Sequence, residues 1–521
     1  MRQLIHNGVL IPRYDAKGFR IYIRGVDLNL SPEQEEMAVA WVKKLGTDYV
    51  KDKAFVKNFF QDFAHALNKD KVSPEDFDFS EIQQHLMEEK NRKLTISREI
   101  RKQDAQKRKA IREINKEKYG YAVVDGLNVE IANYVVEPSS IFMGRGKHPL
   151  RGRWKRGADA TDVVLNFSPD TPIPKGDWKA VVWQPDSMWI AKWCDKLQGK
   201  TKYVWLSDTS YVKQKRDIEK FDKARDLESQ LKKVNAQIMR SLNSSDPLRR
   251  KIATVCYLID VLKFRVGDEK DKDEADTVGA TTLRPEHLSF EPNGIVIFDF
   301  LGKDSIRWHL KTKLPEQVVR NIKESCDDAN YSIFKGVRSN NVSAFLDEAM
   351  QGLSAKVFRT YHATKIVRTE LVKAKVSKDD HEFKKKLAAT MANLEASKTC
   401  NHKKKIPKNW NATLDGMKGR LNKYKEKRKE IKAKKTRKEA TKIRRLRTIN
   451  ERIRNVQTRI KIKKAIRDYN LNTTLKSYID PRVYFQWGNE VGYDWKKYYS
   501  KALQRKFLWV ENDESDTKSI T

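Results

Sequence analysis

The most informative part of this sequence is Leu475-Lys476-Ser477-Tyr478-Ile479-Asp480-Pro481-Arg482, where a tyrosine stands between a helix-like segment and a Pro-Arg turn. A tyrosine hydroxyl is one of the side-chain groups that can attack an electrophile and form a covalent intermediate. The stretch therefore suggests a nucleophile held at a fixed point of the fold. A core tyrosine beside a solvated helix is the alternative, and this stretch alone leaves both interpretations open.

The region just before this tyrosine is the most basic part of the chain. Residues 421–470 contain 21 Lys and Arg against 5 Asp and Glu, a local net charge of +16. The whole chain has a formal net charge of +37 and a sequence pI of about 9.8. Such an excess favours a polyanionic partner, and its local density is typical of a surface that follows a phosphate backbone. Together with the tyrosine, it suggests nucleophilic attack on a DNA phosphate.

Composition limits the class of protein further. The 521 residues are long enough for about three or four domains, and 39% hydrophobic residues are enough to form large cores. The first fifteen residues lack a hydrophobic signal core and no apolar run of about 18 residues occurs, so we expect neither secretion nor membrane spanning. Four cysteines without CxxC spacing favour a reducing compartment without disulfides or a zinc site.

The hydrophobic patterning predicts a multidomain α+β protein. Ser31-Pro32-Glu33-Gln34 is a helix start, because Ser can cap, Pro suits the first turn and Gln can close a capping box. Helical patterns are predicted over 80–118, 215–265 and 315–400, and strand patterns over 121–125, 163–165 and 178–206. A β-hairpin is predicted over 294–310, joined at Gly302-Lys303-Asp304.

Residues 411–467 form a distinct predicted unit. An apolar stripe at steps of three and four residues runs through Ile443, Leu446, Ile449, Ile453, Val456 and Ile460. Such a stripe on an otherwise charged helix is typical of a coiled-coil seam, with a weaker partner stripe at Met417, Leu421, Tyr424 and Ile431. We expect an antiparallel helical hairpin. A solvated helix that touches nothing is the alternative.

Six local patterns, including the one around Tyr478, carry chemistry-bearing side chains. They are Gly144-Arg145-Gly146-Lys147-His148-Pro149, Arg265-Val266-Gly267-Asp268-Glu269, Phe300-Leu301-Gly302-Lys303-Asp304-Ser305, Ala355-Lys356-Val357-Phe358-Arg359-Thr360-Tyr361, Cys400-Asn401-His402 and Tyr478-Ile479-Asp480-Pro481-Arg482. These patterns occur in the order found in the type IB DNA topoisomerases of the eukaryotic kind, which the chain closely resembles over nearly its whole length. One such motif would be weak evidence, whereas six in order are very specific.

The resemblance implies a two-lobed clamp. Its parts would be a mixed α and β N-terminal DNA-binding cap lobe (1–210), a mostly helical catalytic core (211–405), a coiled-coil linker (406–467) and a small helical C-terminal domain (468–521). It implies that Arg265, Lys303, Arg359 and His402 surround the nucleophile Tyr478. It further implies that DNA is gripped by Arg145, His148, Lys202, Lys213 and Lys356, and that Arg145, Asp304 and Ser477 form an inhibitor pocket.

The implied chemistry needs those residue types. Attack of Tyr478 on a phosphodiester places extra negative charge on the non-bridging oxygens, to which the guanidiniums of Arg265 and Arg359 offer permanently charged donors. His402 adds a donor, so no cofactor or metal ion is expected, and Lys303 is the candidate general acid for the leaving 5′-oxygen. Religation would need no ATP. The expected partner is supercoiled double-stranded DNA, bound by a monomer with no membrane association.

The chain departs from the family at several positions. The long charged N-terminal extension of the nuclear members is missing, which points to an archaeal or viral source or a trimmed chain. The expected location is the cytoplasm or nucleoid in an archaeon and the nucleus in a eukaryote. Met143 stands where the family often has Arg, Ser477 where Asn usually precedes the tyrosine, and Lys403-Lys404-Lys405 alters the linker root.

Two other functions remain open. A tyrosine recombinase shares the Arg, Lys, His and Tyr chemistry, but typically carries His-x-x-Arg, and Lys356 occupies the position three before Arg359. A non-enzymatic architectural DNA-binding protein would need only the net charge. That second alternative gives no reason for Arg265 and the Tyr-Ile-Asp-Pro-Arg stretch to occur together.

Overall fold

The chain folds into a mixed α and β, multidomain protein. The computed structural model describes residues 1–69, 71–144, 146, 148–169, 171–267, 277–327, 329, 331–433 and 439–513. The described residues up to Lys213 form one compact unit, and those from Gln214 onward form a second. No helix within these ranges is both long and apolar enough to cross a membrane.

The first unit combines short strands with four helices in its described residues. The strands are Leu4–His6 (β1), Arg20–Ile23 (β2), Val26–Asn29 (β3), Phe77–Asp78 (β4), Tyr121–Val124 (β5), Leu127–Glu130 (β6), Ser140–Ile141 (β7), Trp154–Lys155 (β8), Val164–Asn166 (β9), Ala180–Val182 (β10), Trp189–Cys194 (β11) and Thr201–Trp205 (β12). The helices are Pro32–Val42 (α1), Lys53–Ala66 (α2), Ser80–Thr95 (α3) and Arg98–Tyr119 (α4).

Small sheets organise this unit. β1-β5-β6 and β3-β2-β4 are antiparallel, β7 pairs with β8, and the largest sheet has the order β10-β9-β11-β12 with only β10 and β9 parallel. The predicted strands near 121, 164 and 178–206 are therefore present. The predicted helix over 80–118 is interrupted, because Ile96 leaves the helical conformation and Ser97 caps a new helix.

The start of α1 follows the sequence prediction closely. The Ser31 hydroxyl accepts a hydrogen bond from the Gln34 amide, and the Gln34 side chain accepts one from the Ser31 amide, which closes the capping box. Behind α1, Trp41 stacks against Phe59 with ring centroids 4.7 Å apart, in a core rich in phenylalanine. Aromatic side chains bury large apolar areas, so they stabilise this part of the unit strongly.

The second unit is mostly helical. Its helices are Tyr211–Ser241 (α5, which begins three residues before the unit does), Pro247–Leu262 (α6), Glu316–Asp327 (α7), Ser339–Asp347 (α8), Ala355–Lys373 (α9), Glu382–Thr399 (α10), Trp410–Ala433 (α11), Glu439–Ala465 (α12), Leu471–Ser477 (α13), Pro481–Val491 (α14) and Lys501–Lys506 (α15). Its strands, Leu288–Glu291 (β13), Ile295–Gly302 (β14) and Ile306–Lys313 (β15), form one antiparallel sheet.

The predicted β-hairpin is confirmed and extends beyond its predicted end. β14 and β15 pair in register from Gly302 opposite Ile306 to Ile295 opposite Lys313, and a single 3₁₀ turn, Lys303–Ser305, joins them. A Cβ at Gly302 would lie 2.9 Å from Cδ1 of Trp308, so only glycine fits at this end of β14. The hairpin thus brings Lys303 to an exposed tip.

The predicted stripe between 411 and 467 lies on two helices that pack against each other, α11 and α12. Ile449, Ile453 and Val456 are buried, whereas Ile443 keeps 61% of its surface exposed. The stripe is therefore covered only along part of α12. α12 also packs against α10, so it does not contact α11 alone.

Candidate active site around Tyr478

Tyr478 lies directly after α13 with its backbone held on both sides. Its amide donates to the Thr474 carbonyl oxygen over 2.9 Å, which continues the helical hydrogen bonding by one residue. Its own carbonyl accepts from the Thr364 hydroxyl at 3.3 Å, and the Asp480 amide donates to that same hydroxyl at 3.1 Å. The side chain is only 8% exposed. The predicted nucleophile therefore occupies a fixed position at the edge of the core.

The residues after Tyr478 start a helix rather than a simple turn. The Asp480 carboxylate accepts from the Arg482 amide at 3.0 Å and caps α14, while Pro481 occupies the first helical position. Such a start suits proline, because the missing N–H has no helical partner there. Since α13 ends at Ser477 and α14 begins at Pro481, the tyrosine lies in a tight junction between two helices.

Arg359 on α9 contacts the tyrosine ring. Its guanidinium carbon lies 5.1 Å from the centroid of the Tyr478 ring, and the side chain is 2% exposed. Nη1 donates to the Lys263 carbonyl at 2.6 Å and Nη2 donates to the Cys400 carbonyl at 3.0 Å. The buried Nε has no hydrogen-bond partner among the described residues. A permanently charged group is thus fixed beside the phenol with one donor left over.

His402 lies on another side of the same ring. The imidazole and Tyr478 ring centroids are 5.1 Å apart, and the imidazole Nε2 lies 3.3 Å from Nη2 of Arg359. Its Nδ1 lies 2.7 Å from the Thr474 hydroxyl. Burial, together with the positive charges of Arg359 and Arg265, lowers the pKa of His402 to about 3. The imidazole is therefore neutral near pH 7 in the protein without a bound anion.

Arg265 belongs to the same electrostatic cluster. It lies three residues beyond the end of α6, not at the helix end as predicted, and is half-buried. Burial and the charge of Arg359 lower the pKa of Arg265, while Tyr478 acts in the opposite direction. Because a guanidinium stays charged at neutral pH even so, Arg265 and Arg359 together make an anion-binding environment.

A close backbone crossing holds the segment that carries Arg265. The Ala280 amide donates to the Arg265 carbonyl at 2.8 Å. A Cβ on Gly267, which has a φ of +85°, would lie 2.7 Å from the Gly279 Cα, and a Cβ on Gly279 would lie 2.4 Å from the Gly267 Cα. No side chain fits at either position, so both glycines permit this crossing.

Lys303 is exposed at the tip of the β14–β15 hairpin, and its ammonium group makes no hydrogen bond or ion pair with the described residues. Ser477, the last residue of α13, is half-buried beside the tyrosine. Arg145 and the side chain of Asp304 lie outside the described residues. Of the three inhibitor-pocket residues that the resemblance implies, only Ser477 therefore has a described side chain.

The DNA-binding candidates are distributed over both compact units. In the first unit, His148 is buried, and its ring centroid lies 4.9 Å from that of Phe142 in an edge-on contact. Lys202 lies 3.7 Å from the Asp195 carboxylate, and Lys213 lies 3.4 Å from that of Asp208. In the second unit, Lys356 is exposed in the first turn of α9, three residues before Arg359.

The sequence did not reveal which side chains support the cluster. Thr474 and Thr364 provide the hydroxyl groups that contact His402 and the tyrosine backbone, and Arg482 holds the start of α14. One signal was available for Thr474, because a residue four positions before Tyr478 lies on the same face of a helix. Thr364 gave no comparable signal, since its contact joins residues more than a hundred positions apart.

Comparison with protein-family models finds three matches that together span most of the chain. Residues 1–206 match the DNA-binding fragment of eukaryotic DNA topoisomerase I. Residues 209–435 match the catalytic core of eukaryotic DNA topoisomerase I, and residues 450–519 match a C-terminal topoisomerase domain. The residues of the cluster fall in the second and third matches.

Curated proteins similar to this chain have the same family name. DNA topoisomerase 1 beta of Arabidopsis thaliana is 33% identical over 98% of this chain and 58% of its own length. The mitochondrial DNA topoisomerase I of Rattus norvegicus is 30% identical over 98% of this chain and 91% of its own length. DNA topoisomerase 1 of Homo sapiens is 30% identical over 97% and 70%. The chain spans little more than half the length of the Arabidopsis relative.

Proposed function

The chain belongs to the eukaryotic DNA topoisomerase I family, and from this premise we propose that it is a type IB DNA topoisomerase that relaxes supercoiled DNA. It would cut one strand through a 3′-phosphotyrosyl intermediate on Tyr478, let the free end rotate and then rejoin the strand. The phosphotyrosyl bond keeps the energy of the phosphodiester, so the cycle would need no ATP.

The proposal rests on one observation: Arg359 and His402 contact the ring of the nearly buried Tyr478, and the charge of Arg265 acts on the same group. Arg359 lies over the Tyr478 ring, its Nε is a donor without a partner among the described residues, and His402 lies beside it. Leaving a buried N–H unsatisfied costs about 1–3 kcal/mol, a cost that a bound phosphate oxygen would remove. The site is therefore suited to an anion whose charge increases during attack.

The roles follow from charge and hydrogen-bonding capacity. Tyr478 would attack phosphorus, while Arg265, Arg359 and His402 would donate to the non-bridging oxygens of the transition state. Because these side chains would supply the stabilising charge, the reaction would not require a metal ion. Lys303 would protonate the leaving 5′-oxygen, and its exposed position on a narrow hairpin tip would let it meet bound DNA.

The wider DNA-binding surface is also part of the proposal. Arg145, His148, Lys202, Lys213 and Lys356 would grip DNA near the cut, with the chain closing as a two-lobed clamp around the duplex. α11 and α12 would form a coiled-coil linker whose basic faces lie along DNA downstream of the cut. The net charge of +16 over residues 421–470 supports this assignment. A monomer would suffice for this function.

Plasmid relaxation tests the proposal directly. The purified chain should relax negatively supercoiled plasmid without ATP and in the presence of EDTA, through a ladder of topoisomers. Tyr478→Phe should bind DNA with unchanged affinity and relax nothing, since it removes only the nucleophilic oxygen. A recombinase would instead require its recombination sites, and an architectural protein would leave the linking number unchanged after deproteinisation. Substantial relaxation by the Tyr478→Phe variant would show that another residue is the nucleophile.

A further inference from the structure

The hydrogen bonds around His402 specify which ring nitrogen carries the proton. Its Nε2 lies 3.3 Å from Nη2 of Arg359, and a guanidinium can only donate. Nε2 of the neutral ring must therefore be the acceptor, which places the hydrogen on Nδ1. The Nδ1–H group then donates to the hydroxyl oxygen of Thr474, with 2.7 Å between nitrogen and oxygen.

The same tautomer follows from the hydrogen bonds at the far end of a buried row of polar side chains. The Asn393 amide nitrogen lies 3.3 Å from the Leu471 carbonyl, which can only accept, so the other amide atom of Asn393 is its oxygen. The Ser397 hydroxyl donates to that oxygen at 3.3 Å. Since a hydroxyl has one hydrogen, the 2.7 Å contact between Ser397 and Thr474 must be donated by Thr474. Because the hydroxyl hydrogen of Thr474 is donated to Ser397, its oxygen can only accept a hydrogen bond from His402.

We propose that Thr474 is a positioning residue for His402: its hydroxyl accepts from Nδ1 and keeps the Nε2 edge of the imidazole facing Arg359 and the site of the phosphate. The inference rests on the proposed function, because it assigns how a catalytic donor of that reaction is held. The chain of donors runs from His402 through Thr474 and Ser397 to Asn393.

Burial holds these four hydrogen-bonded side chains in place. Thr474 and Ser397 are fully buried, and Asn393 and His402 nearly so. A polar group removed from water cannot replace a partner that turns away, so each group in the chain keeps its neighbour in place. The low pKa of His402 agrees with a neutral ring that has one defined tautomer near pH 7.

Thr474 also connects His402 to the nucleophile. Its carbonyl accepts from the Tyr478 amide at 2.9 Å, while its hydroxyl accepts from His402. One residue therefore fixes both the end of the helix that presents the tyrosine and the orientation of the imidazole. When a phosphate oxygen meets the Nε2 edge, the ring takes one proton from solvent and the Nη2–H of Arg359 gives up its bond to Nε2. Nε2–H then donates to the phosphate oxygen while Nδ1–H keeps its bond to Thr474.

The first test reads the tautomer itself and needs no catalytic activity. Nitrogen NMR of the full chain labelled with ¹⁵N-histidine should show the His402 ring as the Nδ1–H tautomer at neutral pH. The signals are assigned by their disappearance in His402→Gln. In Thr474→Val, which keeps the shape but lacks the hydroxyl, the signals should show mixed tautomers. A wild-type ring protonated on Nε2 would overturn the proposal, whatever the chain does to DNA.

The second test is a double-mutant cycle on single-turnover cleavage of a strand whose downstream fragment, which carries the free 5′-hydroxyl, is short enough to dissociate. Thr474→Val should slow cleavage roughly tenfold, the rate equivalent of one hydrogen bond, and Thr474→Ser should slow it less than about threefold because it keeps the hydroxyl. In a His402→Ala background, Thr474→Val should change the rate by less than about twofold. Equal slowing in both backgrounds would show that Thr474 acts only through general packing.

Thr254→Val provides a matched control. Thr254 is also a fully buried threonine, its hydroxyl donates to the Arg250 carbonyl at 2.8 Å, and it accepts from Asn321 at 3.1 Å. Both valine variants should lower the melting temperature to a similar degree, but Thr254→Val should keep the cleavage rate and the His402 signals. If Thr254→Val slowed cleavage as much as Thr474→Val, reduced stability would explain both. If the wild type cleaved no DNA, the proposed function would fail while the NMR test still decided the position of the proton.

Discussion

Arg482 and Asp480 form a two-pronged ion pair two residues after Tyr478. Nε of Arg482 lies 3.0 Å from both carboxylate oxygens, and Nη2 lies 2.8 Å from one of them. The same guanidinium, 3% exposed, also donates to Asp222 on α5 at 2.8 Å and to Asp513 at 3.1 Å. The carboxylates of Asp480 and Asp222 raise the pKa of Arg482 despite its burial. One side chain thus ties the start of α14 to α5 and to the end of the described chain.

Replacing Arg482 by Met should destabilise the helices around Tyr478 without touching a phosphate contact. Removing one partner from a buried ion pair costs about 3–5 kcal/mol, because the remaining carboxylates are left without their counter-charge. We expect a lower melting temperature and reduced relaxation. Arg467→Met is the comparison, since Arg467 forms an exposed pair with Asp468 and lies over the Trp410 ring, so its loss should lower the melting temperature far less. An unchanged melting temperature in Arg482→Met would contradict the anchoring role.

Lys303→Ala should slow cleavage of an ordinary strand far more than cleavage of a strand with a 5′-bridging sulfur. A thiolate leaves without a proton, so the modified strand does not need a general acid. Single-turnover cleavage of both substrates measures the difference. Lys313→Ala, at the far end of the same hairpin, is the control and should affect neither. Equal slowing on the two substrates would remove Lys303 from the general-acid role.

Ser477→Asn should increase the cleavage stabilised by camptothecin-type inhibitors. In the family that this chain resembles, such compounds contact the side chain before the tyrosine, where asparagine is usual and serine lacks the amide. Ser477 is half-buried at the end of α13, so its side chain is partly accessible to a ligand. Drug-dependent nicking is compared for the wild type, Ser477→Asn and Ser477→Ala. The hypothesis is refuted if Ser477→Asn behaves like the wild type.

The exposed basic residues of α11 and α12 should set part of the salt dependence of DNA binding. Deleting both helices would also remove the packing of α12 against α10, so substitution is the cleaner test. Replacing Lys423, Arg444 and Arg454 by Gln leaves the buried residues of α12 in place. The slope of log K against log salt should fall by about 0.9 for each DNA phosphate that the variant no longer neutralises. An unchanged slope would mean that these faces do not contact DNA.

His6 should make the first unit less stable in mild acid. Burial lowers the pKa of His6 to about 4, and its two nitrogens contact the Asn166 carbonyl and the Gly8 amide, both at 3.0 Å. Above about pH 6.5, the usual pKa of histidine, His6 is neutral in both the folded and the unfolded chain, so its titration does not change the stability. Between that pH and 4 the unfolded chain binds the proton more readily than the folded chain does. The free energy of unfolding should therefore fall by up to about 3 kcal/mol as the pH drops across this range.

Unfolding of wild type and His6→Asn between pH 7 and 4 measures this effect. The acid-dependent decrease in stability should be smaller in His6→Asn, whereas His65→Asn, which alters an exposed histidine, should respond to acid like the wild type. If His6→Asn and the wild type showed the same pH dependence, His6 would not be the group that titrates.

Much of the fold could be predicted because local rules act within single segments. Alternation of apolar residues predicted the hairpin of β14 and β15, and Ser31 with Gln34 predicted the start of α1. The chain of His402, Thr474, Ser397 and Asn393 could not be predicted, since it depends on α10 and α13 lying side by side. The sequence also did not predict which residues of the apolar stripe on α12 are buried. Ile443 has the same sequence spacing as Ile449 but is left exposed by the tertiary packing.

The fixed backbone of Tyr478 has a mechanical consequence. Hydrogen bonds hold its amide and its carbonyl, and the Asp480 amide shares the same Thr364 hydroxyl. A DNA strand esterified to this tyrosine would thus be attached to a backbone position that α9 and α13 hold fixed. Torque stored in the duplex could rotate the free end without unwinding a protein helix. The bound 3′ end would keep its position, so the 5′-hydroxyl would return to the same place for religation.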